Sequence, residues 1–125
     1  MEVCSSIHID VETQYIEGRF APEEEKYAFA YRISISNRGQ EDFTLLNRYW
    51  LITDGNGKKS EVRGPGVVGE QPCIKAGSSF QYTSGAILDT PVGTMEGYYE
   101  MESSAGQMCK APIAVFSLSV PNLIN

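Results

Sequence analysis

The sequence predicts an all-β fold, an antiparallel sandwich of seven or eight strands with immunoglobulin-like architecture. Three observations predict it. Apolar residues recur with a period of two in one stretch after another, as half-buried strands require. Clusters of Gly, Pro, Asn and Asp separate those stretches at short intervals. No window carries a helical period, and the one tryptophan falls mid-strand, where such sandwiches place a core anchor.

Taken in order, Ile7, Ile9, Val11, Thr13 and Tyr15 alternate with His8, Asp10, Glu12 and Gln14, giving a first strand with one wet face. After Gly18 and Pro22, five large residues share a face: Tyr27, Phe29, Tyr31, Ile33 and Ile35. That is a core strand, and Asn37-Arg38-Gly39-Gln40 turns the chain after it. The run from Phe43 to Asp54 changes phase between Leu45 and Trp50, so a bulge or bend is expected there. Asp54-Gly55-Asn56-Gly57 reads as a hairpin turn into a short polar strand around Glu61-Val62-Arg63. Beyond Gly64–Gly69, turn residues at Pro72 and Lys75-Ala76-Gly77 precede a strand with Phe80 and Tyr82 on one side. Met95, Gly97, Tyr99 and Met101 form the next face, and Ala114, Phe116, Leu118 and Val120 the last. Pro112 has no N–H for a ladder, so its strand is expected to lie at an edge or to begin there.

A chain of 125 residues is read as one domain, 1–125, able to bury a core of its own. Its apolar runs are far shorter than the ~20 residues that span a bilayer. Its first residues lack the basic and apolar regions of a secretory signal, so cytoplasmic residence and no membrane partner are expected. The net charge is −6, and residues 1–25 carry all of it, with seven acids against Arg19 alone. An acidic chain is a poor partner for nucleic acid, whose phosphates demand a basic surface. Cys4, Cys73 and Cys109 are odd in number and isolated. Neither a disulfide framework nor a Cys-x-x-Cys metal site is expected, and the thiols are read as reduced and partly buried.

The chemistry-bearing stretch runs from Arg48 to Glu70. Gly64-x-Gly66-x-x-Gly69 spells a phosphate-binding fingerprint, yet Glu70-Gln71-Pro72 opens no helix whose N-terminus would receive the pyrophosphate. Two readings remain: a structural loop, or a tight glycine turn whose N–H groups hold a small anion near Arg48 and Arg63. Asp54-Gly55-Asn56-Gly57-Lys58 begins like a calcium loop, but has Lys59 at its sixth position and Pro65 at its twelfth, and fails. His8, the sole histidine, lies on a wet strand face, which leaves no catalytic triad and no transition-metal set. Trp50 reads first as a buried anchor. Tyr82-Thr83-Ser84-Gly85 sets hydroxyl donors at a strand end.

Several of these residues carry a resemblance to the ApaG (CorD) family. The matching segments are Leu45-Leu46, Arg48, Trp50, Ile52-Thr53-Asp54, Glu61-Val62, Gly64 and Gly66-Val67-Val68-Gly69-Glu70. They continue with Phe80, Tyr82-Thr83-Ser84-Gly85, Gly93, Met95, Gly97, Tyr99, Met101, Phe116, Leu118 and Pro121. Where the family commonly has Arg-His-Trp, this chain has Arg48-Tyr49-Trp50. The resemblance implies a fibronectin-type-III-like sandwich. It also implies a link to cobalt resistance and magnesium efflux, and a domain that fuses to others as an interaction module.

Together these readings predict a non-enzymatic binding module without cofactor or bound metal, acting through an unidentified protein partner in divalent-cation homeostasis. The alternative is a small-anion or (di)nucleoside polyphosphate-binding protein using Gly64–Gly69. The candidate binding residues are Arg48, Trp50, Arg63, Gly64, Gly66, Gly69, Glu70, Tyr82, Thr83 and Ser84. Open sheet edges would also let two copies pair as a homodimer.

Overall fold

The computed structural model describes residues 1–121. Its strands are β1 (Glu2–Val3), β2 (Ile7–Ile16), β3 (Tyr27–Asn37), β4 (Phe43–Asp54), β5 (Lys59–Pro65), β6 (Cys73–Ile74), β7 (Ser79–Leu88), β8 (Val92–Ser103) and β9 (Met108–Ser119). Seven are long and two are two-residue fragments, with one 3-10 turn at Pro22–Glu24. One sheet runs β1-β9-β8-β4-β5, with β6 also paired to β4, and the other runs β2-β3-β7. The result is the immunoglobulin-like sandwich that the period-two pattern predicts, in the fibronectin-type-III-like form that the family resemblance implies. Among the described residues no helix is long and apolar enough to cross a membrane.

The phase change in β4 is a bulge at Leu46, where the register with β8 shifts between Leu45 and Asn47. The extra residue lets Leu45 and Trp50 both face inward. Trp50 is 2% exposed and meets Tyr31, Tyr99 and Phe116 edge-on, at ring-centroid distances of 5.4, 6.4 and 5.8 Å. Such T-shaped contacts set ring edges against ring faces, adding about 0.5–1.5 kcal/mol per pair to simple burial.

Two expectations need correction. A second bulge, opposite Met95–Gly97, shifts the phase of β9, so Ile113 and Phe116 face inward and Ala114 is exposed. Period-two reading cannot see a bulge that falls between two small or aliphatic residues. The second correction concerns the thiols. Cys4 and Cys109 form a disulfide across 105 residues of sequence, and Cys73 alone is free and exposed. Spacing could not reveal the pair, because it depends on β1 lying parallel to β9 with Glu2 opposite Cys109. The amide of Cys4 also donates to the carbonyl of Lys110 at 2.9 Å.

Pro112 sits where β9 is an edge, since β1 covers only Cys109 and Lys110. On this side of the sandwich β2 packs against β9 and joins the two sheets. On the other side β5 and β7 end their sheets, with edges unpaired among the described residues.

Candidate functional site

The glycine motif begins at the end of β5 and closes on itself. Val67 and Glu70 exchange both backbone hydrogen bonds, at 2.8 and 2.9 Å. Between them Val68 (φ 43°) and Gly69 (φ 82°) form a two-residue turn with positive φ at both positions, the mirror-type turn of tight hairpins. The Gly66 amide donates to the Leu46 carbonyl at 2.8 Å. Gly66 is itself at φ 59°, and a Cβ there would fall 2.0 Å from the Glu70 carbonyl oxygen. No helix follows. Three of the N–H groups that might face an anion, those of Gly66, Val67 and Glu70, are spent on carbonyls of the loop and β4.

Arg48 lies beneath this loop. Its Nη1 donates to the carbonyls of Pro65 at 3.0 Å and Gly66 at 3.1 Å. The guanidinium rests against Gly64, opposite it in the β4–β5 register, where a Cβ would come within 3.0 Å of Nη1. The first glycine of the motif therefore makes room for an arginine. Among the described residues no carboxylate pairs with Arg48.

These pieces enclose a cavity of about 210 Å³ between the sheets, lined by Tyr31, Arg48, Trp50, Val67, Val68, Gly69, Tyr82 and Ser84. Tyr82 donates or accepts a hydrogen bond with Tyr99 across the core. Burial in apolar surroundings pushes both hydroxyls far above the usual phenol range, and the nearby Arg48 charge offsets only part of the shift. Both are therefore neutral at neutral pH.

Of the sequence-predicted residues, Arg48, Trp50, Gly69, Tyr82 and Ser84 meet at this cavity, with Gly64 and Gly66 forming its roof support. Glu70 pairs with Val67 through its backbone and leaves its side chain exposed. Arg63 and Thr83 lie elsewhere. Thr83 is on the outer face of the smaller sheet, beside Arg32 and Glu12. Arg63 is on the outer face of the larger sheet. There its guanidinium stands 4.3 Å above the Tyr49 ring, Tyr49 stacks with Tyr98 at 4.9 Å, and Lys110 caps Tyr98 at 4.1 Å. Tyr49 donates to Glu61 at 2.7 Å, a bond that raises its own ionisation point. Sequence reading missed Tyr31 and Tyr99, which it placed in the core as plain aromatics. Their hydroxyls were the available signal, since a buried hydroxyl requires a partner.

The wet-face reading of His8 holds: it is exposed and lies 3.2 Å from Asp10. Among the described residues no group of three His, Cys, Asp or Glu side chains gathers closely enough to hold a metal ion. A larger recess of about 560 Å³ lies beside the disulfide, between Glu2–Ser6, Gly39–Glu41 and Gln107–Cys109, and holds none of the predicted site residues.

The geometry defines a two-sheet sandwich with a small arginine-floored cleft at its open side. The family model for the ApaG domain matches residues 6–103. Protein ApaG of Shewanella halifaxensis is 54% identical over 124 residues, covering 99% of this chain and 98% of that protein. Protein ApaG of Proteus mirabilis is 52% identical over the full length of both. An X-ray structure of the Northeast Structural Genomics Consortium target SoR45 superposes with a TM-score of 0.93 at 50% identity, covering 97% of this chain and 92% of that one. The crystal structure of an ApaA protein from Bordetella pertussis gives 0.89 at 40% identity, covering 93% and 94%. The chain belongs to the ApaG family.

Proposed function

We propose that this protein is a non-enzymatic binding module of the cytoplasm, acting in cobalt and magnesium homeostasis by engaging a protein partner at the Arg48 cleft. One observation carries the reading. Residues from β3, β4, β7 and the loop after β5 converge on one opening, and that opening lies between two strand edges that are unpaired among the described residues. An extended segment laid along β5 or β7 would find free backbone donors and acceptors beside a specificity pocket, the arrangement used in strand addition. The cation link rests on the family resemblance.

A polyphosphate cradle in Gly64–Gly69 has less support. Such a cradle needs several converging N–H groups, and most of those in the loop are already bonded.

The test is a photo-crosslinking residue at Val68, which is 55% exposed at the cleft mouth, with His8 on the far face as control. In the native host, Val68 should capture a discrete protein, Arg48→Ala should weaken that capture, and the His8 position should not reproduce it. Equal capture from both positions, or none from Val68, would sink the reading. The cation link is tested separately by growth under cobalt excess, which wild type but not Arg48→Ala should restore to a deletion strain.

A further inference from the structure

We infer that the Arg48 cleft is a receptor for a single carboxylate, carried on an acidic side chain of the partner segment. The inference rests on the binding-module reading and specifies what the pocket takes. The guanidinium has five N–H groups in a planar fork. Nη1 is committed to the carbonyls of Pro65 and Gly66, which fixes the plane of the group. Among the described residues the Nε and Nη2 groups have no acceptor, and that edge is the one that grips a carboxylate with two parallel hydrogen bonds.

The rest of the lining agrees. Ser84 and Tyr31 also line the cavity; no described residue hydrogen-bonds either hydroxyl, and no unpartnered polar side-chain atom among the described residues is sealed from solvent. Among the described residues no Asp or Glu lines it. Trp50 and Val67 supply apolar walls that exclude water and strengthen a charged pair. The volume, about 210 Å³, suits the tip of an acidic side chain and is small for a nucleotide. Charge points the same way. One guanidinium balances one carboxylate, whereas a phosphate dianion would leave a surplus negative charge against the uncharged lining of Tyr31, Trp50, Val67 and Tyr82.

The experiment titrates nitrogen-labelled protein with propionate, propionamide and pyrophosphate, following the Val68 and Gly69 amides and the Arg48 Nε–H. Two blocked tripeptides, Ac-Ala-Glu-Ala-NH2 and Ac-Ala-Gln-Ala-NH2, provide the peptide arm. Propionate and the Glu peptide should give saturable shifts, with the Glu peptide at least fivefold tighter. Propionamide and the Gln peptide should not, and Arg48→Lys should weaken both carboxylates at least fivefold. The inference is overturned by any of four results: no saturation with either carboxylate, equal response to the amides, pyrophosphate saturating at lower concentration, or a Glu peptide no tighter than propionate. Because the carboxylate–amide comparison is made on wild type, it stands even if the Arg48 variant does not fold. If Val68 crosslinks persist while carboxylates have no effect, the binding module survives and this inference alone falls.

Discussion

The two sides of this sandwich are built on opposite plans. On one, β2 packs on β9, β1 runs alongside β9, and Cys4–Cys109 ties the first residues to the last strand. On the other, β5 and β7 end their sheets, unpaired among the described residues, and the gap between them is lined by an arginine, two tyrosines and a loop with three positive-φ residues. One side is held by a covalent bond and by β2 packed on β9, even with the larger recess open beside the disulfide. The other is held by hydrogen bonds to backbone carbonyls, and keeps a cavity. The difference shows where a small domain can hold an unpaired charge: the sheets are already locked together elsewhere, so the open side need not be the stable one.

The largest effect should come from breaking the sealed side. In the chain-entropy view a bridge closing a loop of about 100 residues contributes about 4–5 kcal/mol by restricting the unfolded chain. Reduction, or Cys109→Ser, should therefore lower the melting temperature by roughly 10–20 °C. The Val68 and Gly69 amide resonances at the far cleft should stay in place below that transition. Thiol counting on the denatured, unreduced protein should find one free thiol, from Cys73; a count of three would remove the premise.

Next comes the open side. Gly66→Ala adds a Cβ into the Glu70 carbonyl at a left-handed φ. Strain and overlap of this kind cost about 2–4 kcal/mol. Chemical denaturation should show that loss, together with displaced Arg48 and Val68 resonances. A variant of unchanged midpoint would mean the loop is not held as described.

The smallest effect at neutral pH, and the one that sharpens the contrast, is titration. Tyr82 and Tyr99 have folded-state ionisation points raised above the unfolded value near 10. The unfolded chain then releases protons that the fold retains, so these groups do not alter stability below about pH 10 and reduce it progressively above. Denaturant midpoints measured from pH 8 to 12 should be flat and then fall. Phenolate absorbance should show part of the seven tyrosines ionising only with unfolding. A midpoint that rises through pH 11 would contradict the burial of the pair.

Much of this was legible residue by residue. Tyr27 to Ile35 announced a core strand because side chains on a strand alternate strictly, and the phase break before Trp50 announced the Leu46 bulge. Gly64, Gly66 and Gly69 stood out, but not their reasons: one yields space to Arg48, while the other two take backbone angles a side chain resists. Arg63 and Arg48 looked equivalent in sequence. Odd and even positions on paired strands send them to opposite faces, one into the cleft and one onto the Tyr49–Tyr98 stack. The Ala114 phase error has the same root, since one unseen bulge reverses every side chain beyond it.

By itself, then, the sequence determined the seven long strands, the inward faces of all but part of the last, the turns and the family, because each follows from alternation, backbone freedom or matched residues along the chain. Tertiary structure alone decided that Cys4 meets Cys109, that Arg48 has no acidic partner among the described residues and floors a cavity, and that the glycine loop spends three of its donors on itself and β4. Those facts depend on which strands become neighbours across long separations, and local pattern carries no record of that distance.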